Sequence, residues 1–500
     1  MSTERIRNQA LQSKVVSAEE AAAYIKDGMT VGTSGFTPAG YPKCVPLAVA
    51  KRAEAGEQIR LNLYTGASVG DELDGAWARA GIINMRMPYQ TCGDLRNLIN
   101  SGDVNYQDVH LSQSGQQVRE GFWGKIDVAI VEAVAITEDG GIIPATSVGN
   151  TNVYIEMAEK VIIEINTTQP LALEGMHDIY SPLNPPNRKV IPIEKSDDRI
   201  GTPYIPCDPS KVVAVVMCDI PDDCRPLGAI DEDSKKISGH LIDFLECEVK
   251  AGRLPENLLP LQSGVGSVAN AVLAGINDSK FENLTSYTEV LQDSMLDLID
   301  SGKIKTCSCT SVTLSPDGVK RFYDNIDFYK DKVIMRPQEI SNNPEMARRL
   351  GVLTMNTAIE VDLYANVNST HIMGTRLMNG LGGSGDFTRN GYMTFFTTVS
   401  TAKNGDISSI VPMVSHIDHT EHEVMIIVTE QGLADCRGTS PKERAKKIIE
   451  NCAHPDYRPM LQEYFDRAQK EQKNQHTPHL IGEALSWHDR FNKTGSMKLK

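Results

Sequence analysis

Apolar and polar positions alternate between two periods along this chain. Ser17-Ala18-Glu19-Glu20 has capping-box spacing and predicts a helix through Ala21, Ala22, Ala23, Tyr24 and Ile25 that stops at Asp27-Gly28. Met29-Thr30-Val31-Gly32 then reads as a short strand running into a Gly/Pro loop, Thr33 to Pro42. Ile126-Asp127-Val128-Ala129-Ile130-Val131 and Lys160-Val161-Ile162-Ile163-Glu164-Ile165 are β-branched runs of the kind buried in parallel sheets. Further strands are predicted at Lys211–Met217, Lys305–Thr310, Ile359–Tyr364, Ile410–Val414 and Val424–Val428, and a helical stretch from Pro441 to about Ala468. Strands alternating with helices predict an α/β fold.

Prolines 182, 185, 186, 192, 203, 206 and 209 interrupt regular structure between Ser181 and Pro209, which makes that stretch the best candidate for an interdomain connection. A chain of 500 residues exceeds what one hydrophobic core supports. Two α/β domains are therefore expected, residues 1–210 and 211–500. With 40% hydrophobic and 23% charged residues the composition is that of a soluble globular protein. A formal charge of −15 argues against general nucleic-acid binding, but leaves anionic small ligands open because local donors dominate within a pocket. No run approaches the roughly 20 apolar residues of a membrane span. Residues 1–8 lack the apolar core of a signal peptide, and ten scattered cysteines fit reduced thiols, so a cytoplasmic location is expected.

Glu289 follows the run Leu284-Thr285-Ser286-Tyr287-Thr288 and precedes the helix-like Val290–Ile299. Open α/β sheets place their chemistry at such junctions. A carboxylate there is expected to face free helix N–H groups that favour its ionised, nucleophilic form, although first-turn acids are also ordinary helix stabilisers. Gly264-Val265-Gly266-Ser267-Val268-Ala269 matches a dinucleotide fingerprint, but its proline-broken lead-in and the lack of a clearly placed acidic partner argue against NAD. Together with Asn379-Gly380-Leu381-Gly382-Gly383-Ser384-Gly385 it offers two glycine loops suited either to close backbone approach to a ligand, as in an oxyanion hole, or to surface turns. His416, His419 and His422 stand among acids at three-residue spacing. Strand-like flanks make a charged hairpin the commoner explanation there than a metal site. There is no phosphate-loop motif, so ligation driven by a nucleotide would need an unrecognised site.

Tyr287-Thr288-Glu289-Val290-Leu291-Gln292-Asp293, Gly383-Ser384-Gly385-Asp386-Phe387 and Val428-Thr429-Glu430-Gln431-Gly432-Leu433-Ala434-Asp435 together resemble the acetyl-CoA hydrolase/transferase family. The likeness extends to Gly32–Phe36 and Ser415–His422, and is strongest to the class I succinyl-CoA:acetate CoA-transferases. It implies two open α/β domains of CoA-transferase type with the active site between them, Glu289 as nucleophile, and Val265 and Gly383 as backbone donors to the oxyanion. It also implies a CoA site lined by Gly264, Val265, Gly266, Ser267, Val268, Ile359, Asn379, Gly383 and Lys403, with Arg225, Asn342 and Glu430 holding the carboxylate substrate or orienting Glu289. The competing readings are a solvated loop lysine for Lys403 and a structural pair with Asp222 or Asp223 for Arg225. No metal and no tightly bound cofactor are expected, with CoA acting as co-substrate. The implied reaction moves CoA between small carboxylates, succinyl-CoA plus acetate giving acetyl-CoA plus succinate in either direction. Acetyl-CoA hydrolysis and propionyl-CoA:succinate transfer are the alternatives. A homodimer is the expected assembly, with no nucleic-acid or membrane partner.

Overall fold

The computed structural model describes residues 3–226 and 228–499. These form two compact units, the first comprising Met1–Pro226, Thr285–Ile299 and Ile304–Leu350, the second Leu227–Leu284, Asp300–Lys303 and Gly351–Lys500.

The first unit is built on a sheet of eight strands: β1 (Thr30–Thr33), β2 (Leu61–Tyr64), β3 (Ile83–Met87), β4 (Asn105–Tyr106), β5 (Ile126–Ile136), β6 (Ile142–Pro144), β7 (Ala158–Asn166) and β8 (Val212–Cys218). Their order is β4-β3-β2-β1-β5-β7-β8, parallel throughout, with β6 antiparallel to β5. Val31 opposes Val128 and Ile130 opposes Ile162, so the β-branched runs read from the sequence stack side by side. Both faces are covered, and β5 and β7 are apolar almost without alternation for that reason. Val31, Leu61, Leu63, Val128, Ile130 and Ile162 join Val45, Val49 and Trp77 in one core cluster. The capping box forms as expected, Ser17 Oγ accepting from Glu20 N at 3.1 Å and Glu20 Oε2 accepting from Ser17 N at 2.9 Å. Helix Cys44–Glu54 has no side-chain cap of its own. Buried Glu164 on β7 supplies one, accepting from the backbone N–H groups of Lys43, Cys44 and Val45 at 2.7, 3.1 and 2.6 Å.

The proline-rich stretch does not join the two units. It lies within the first, where Ile142 pairs with Ile205, Ile179 pairs with Thr202, and the Arg349 guanidinium donates to the Ile191 carbonyl at 2.7 Å. The strand after it, Val212–Cys218, completes the first sheet at its edge instead of starting another. Prolines mark a segment without long regular elements; they do not say what it packs against.

In the second unit the strands Leu261–Ser263, Leu353–Thr357, Met393–Thr397 and Ile426–Thr429 lie side by side in that order, all parallel, and Gly432–Asp435 closes the edge antiparallel. The predicted strand Ile359–Tyr364 shrinks to Glu360–Asp362. The predicted helical stretch from Pro441 is two helices, Pro441–Cys452 and Arg458–Glu471, split where Pro455 removes a backbone donor. Val361, Phe396, Ile410, Ile427, Ile448 and Phe465 belong to the core of this unit.

Candidate active site

Glu289 sits in the link between the strand Leu284–Tyr287 and a two-residue strand, Val290–Leu291, that pairs in parallel with Ser311–Val312. The expected helix begins only at Asp293, whose carboxylate accepts from Ser315 N and Oγ at 2.9 and 2.6 Å. The anticipated helix-end stabilisation of Glu289 is therefore corrected: a strand intervenes. Its backbone is fixed on both sides, Thr288 N donating to Ser308 O at 2.8 Å and Thr310 N donating to Glu289 O at 2.9 Å. Among the described residues its side chain has one donor, Asn342 Nδ2, at 2.8 Å from Oε2. Ser341 Oγ donates to Asn342 Oδ1 at 2.8 Å, which fixes the amide with its NH2 group toward Glu289. The short helix Gln338–Ser341 that carries Asn342 is anchored by Gln338 Nε2 to Leu111 O and Ser114 Oγ, and by a bidentate pair, both contacts 2.6 Å, between Glu339 and Arg119.

Next to Glu289, Val290 packs with Phe36, Ala67 and Leu111, and Tyr89 lies against the same cluster. Partial burial pushes the Glu289 carboxyl up from 4.5 to about 7, the Asn342 hydrogen bond offsetting part of the rise. The direction is opposite to the one a helix end would give. A carboxylate near neutrality in poor solvation is ionised in a large fraction of molecules and is more basic, hence more nucleophilic, than one in water. Phe36 is held in place by its loop: Ser34 Oγ donates to Gly40 O and Ser311 Oγ to Phe36 O, both at 2.8 Å. Gly35 has φ +114°, and a Cβ there would come within 2.6 Å of Tyr41 Cβ.

Arg225 is exposed and pairs with Asp223 at 3.1 Å. Asp222 instead accepts from Lys43 Nζ (2.9 Å), Thr146 Oγ1 (2.7 Å) and Gln169 Nε2 (3.0 Å) in a network that also holds Glu132.

The other expected residues belong to the second unit, and four of them follow the C-terminal ends of four adjacent parallel strands. Val265 comes after Leu261–Ser263, Ile359 after Leu353–Thr357, Lys403 after Met393–Thr397 and Glu430 after Ile426–Thr429. That edge is where open α/β sheets bind ligands. Gly264 N donates to Met355 O at 2.9 Å, Gly266 has φ +120°, and Ser267 and Val268 begin the following helix, leaving Val265 52% exposed at the tip of the turn. Gly383 caps the helix Ser384–Thr388. Neither the Val265 nor the Gly383 N–H donates a hydrogen bond among the described residues. Asn379 Nδ2 donates to Gly380 O at 2.8 Å and Ile359 N to Asn368 O at 2.8 Å. Lys403, exposed in a tight turn, lies 5.2 Å from the Phe491 ring centroid. Burial raises the Glu430 carboxyl, but hydrogen bonds from Ser400 Oγ, from Gln431 Nε2 (2.9 Å) and from Ser400 N (2.7 Å) outweigh it and hold the group below its ordinary range.

Family models match two parts of the chain, the acetyl-CoA hydrolase/transferase N-terminal domain at residues 1–217 and the C-terminal domain of the same family at residues 318–465. The chain belongs to the acetyl-CoA hydrolase/transferase family. It is 58% identical over 495 residues to the succinyl-CoA:acetate CoA-transferase of Clostridium kluyveri, covering 99% of this chain and 92% of that protein. It is 46% identical over 512 residues to an acetyl-CoA hydrolase of Schizosaccharomyces pombe, covering 99% and 98%. Among solved structures, RipA from Yersinia pestis superposes with a TM-score of 0.72 at 22% identity, covering 92% of this chain and 98% of that one, a likeness of fold.

In this member of the acetyl-CoA hydrolase/transferase family, the apolar cluster beside Glu289 has no local signal in the sequence. Phe36, Ala67, Tyr89 and Leu111 lie some 180 to 250 positions before Glu289 and are ordinary core residues in isolation. Buried His419 contacts Ser384 Oγ through Nε2 at 3.0 Å and packs on Phe396 at 4.8 Å between ring centroids, so the histidine segment braces the glycine loop at Gly383. Cys44, Glu164 and Cys218 bring donor atoms within 4.8 Å of one another, yet both Glu164 oxygens already cap a helix.

Proposed function

We propose that this chain transfers CoA between small carboxylates, exchanging succinyl-CoA and acetate for acetyl-CoA and succinate in either direction. The observation that carries the reading is the poorly solvated Glu289 carboxylate held by Asn342. Its oxygen attacks the thioester carbonyl, the C–S bond breaks, and an acyl-glutamyl anhydride and CoA thiolate result. The thiolate attacks the glutamyl carbonyl, releasing the first carboxylate and leaving a glutamyl-CoA thioester. The incoming carboxylate reverses these steps. One activated acyl bond is kept throughout, so no nucleotide is consumed. The N–H groups of Val265 and Gly383 serve the oxyanion. CoA, a co-substrate and not a resident cofactor, occupies the loop Gly264–Val268 with Ile359, Asn379 and Lys403. Asn342 orients Glu289, while Arg225 and Glu430 act on the carboxylate substrate. What supports the acyl groups named is the 58% identity to the Clostridium kluyveri enzyme. We further infer a cytoplasmic homodimer, in keeping with cysteines that are all free and with the prevalence of twofold assemblies.

The test is intact-protein mass spectrometry after mixing with succinyl-CoA, with borohydride trapping, Glu289→Ala in parallel, and acetate-dependent acetyl-CoA formation followed in the same samples. A CoA adduct or reduced Glu289 in the wild type, absent from the variant, together with acetyl-CoA, is expected. Release of CoA that does not depend on acetate would instead assign the activity of the Schizosaccharomyces pombe relative, a hydrolase.

A further inference from the structure

A cavity of about 550 Å³ opens in the first unit, walled by the helix Leu111–Arg119, by residues 182–191 of the proline-rich stretch and by the start of the helix Pro344–Leu350. None of the residues assigned to CoA or to the carboxylate substrate lines it. Its size falls within the range of small-molecule sites.

The charges around it are unbalanced. Both acids of the wall already have cationic partners, Glu339 in Arg119, which Glu156 shares, and Glu345 in Arg349. Among the described residues Arg188 has only neutral partners, Leu183 O at 3.0 Å and Gln116 Oε1 at 2.9 Å, and the latter bond ties its guanidinium to the helical wall of the cavity. Lys189 beside it is exposed, and neither cation has a carboxylate partner among the described residues. Two neighbouring cations with free donors select a polyanion, the guanidinium by its forked donors and the ammonium as a point charge. The same wall presents Val190, 69% exposed, with half-buried Pro344, an apolar surface suited to the face of a flat ring, and the Gln113 carboxamide can meet a ring edge. A small dicarboxylate would leave most of the volume empty and the apolar wall wet.

We propose that this cavity binds a nucleoside di- or triphosphate, its phosphates on Arg188 and Lys189 and its base against Val190. The chain thereby carries a nucleotide site separate from its CoA chemistry. The wall includes Asn343, next in the chain to the Asn342 that donates to Glu289.

The probe is a fluorescent ADP, N-methylanthraniloyl-ADP, titrated with the full-length protein and read by anisotropy. Saturable binding is expected. Arg188→Gln combined with Lys189→Gln should weaken it about tenfold or more, the loss of roughly 1.4 kcal/mol or more of binding energy, with CoA transfer measured without nucleotide left unchanged. Both side chains are exposed, so the double variant tests charge and not folding. Excess unlabelled ADP should displace the probe, whereas saturating CoA, succinate or inorganic phosphate should not. Absence of saturable binding, affinity indifferent to the double variant, or displacement by CoA or by succinate at the concentrations at which ADP displaces it would each overturn the assignment.

Discussion

Replacing Asn342 with Leu roughly keeps the side-chain volume and removes the one donor to Glu289 among the described residues, now 2.8 Å away. A hydrogen bond to a charged acceptor is worth about 1.5–3 kcal/mol, and about 1.4 kcal/mol corresponds to one pH unit of titration. Burial already holds the Glu289 carboxyl at about 7 against the Asn342 bond, so losing that bond moves it up by about one to two units more. Near pH 7 roughly half of wild-type molecules then carry the carboxylate, against about 1–10% of the variant. The assay is kcat/KM for CoA transfer from about pH 6 to 10, because that ratio reports the free enzyme's ionisation. The expected result is an acid limb displaced upward by about one to two units, a loss of about five- to fiftyfold at neutral pH, and recovery of most of the rate at alkaline pH. A uniform loss at every pH, with the limb unmoved, would refute the reasoning, since Asn342 would then act on the substrate or on packing and not on Glu289 ionisation.

Three further outcomes follow from other parts of the structure. Because the Glu289 carboxyl is raised from 4.5 to about 7, the folded state keeps a proton that the unfolded state releases, and stability from this group is lost as pH rises across that window. Glu289→Gln should therefore raise Tm more at pH 8 than at pH 4.5, and an equal gain at both by calorimetry would contradict the shift. Lys43→Met leaves buried Glu132 and Asp222 without their cation, contacts of 2.5 and 2.9 Å, and should cost about 3–5 kcal/mol in denaturant unfolding, less when Glu132→Gln is added. Gly35→Ala, strained at φ +114° and blocked by Tyr41, should cost about 1–3 kcal/mol and reduce the rate through displacement of Phe36, whereas Gly56→Ala, which has open space around it, should disturb only the backbone.

How much of this was legible in the sequence depended on the range over which each feature is encoded. The runs Ile126–Val131 and Lys160–Ile165 announced the centre of the first sheet because a strand covered on both faces must be apolar at successive positions. The capping box at Ser17 was equally local. Glu289 itself was visible as an acid at a strand end, and the resemblance gave its role. Its ionisation was misread because two residues, Val290 and Leu291, form a strand where the apolar pattern also suits a helix, and so short a run cannot tell the two apart. The apolar residues that pack on the adjoining Val290 come from loops far earlier in the chain and leave no trace near residue 289. The placing of the proline-rich stretch is hidden for a similar reason: its packing is supplied by Arg336 and Arg349, more than a hundred positions later, the first donating to Ser196 O and the second to Ile191 O.

The first unit is assembled from three separate stretches, and the last of them ends at Leu350. On the ribosome the strands of the early sheet emerge well before their later partners, yet Arg86 and Asp74 can pair at once while Asp178 must wait for Arg336. Glu289 in turn leaves the exit tunnel more than fifty residues ahead of Asn342. Synthesis thus withholds the partner that holds the reactive carboxylate until more than two thirds of the chain is made.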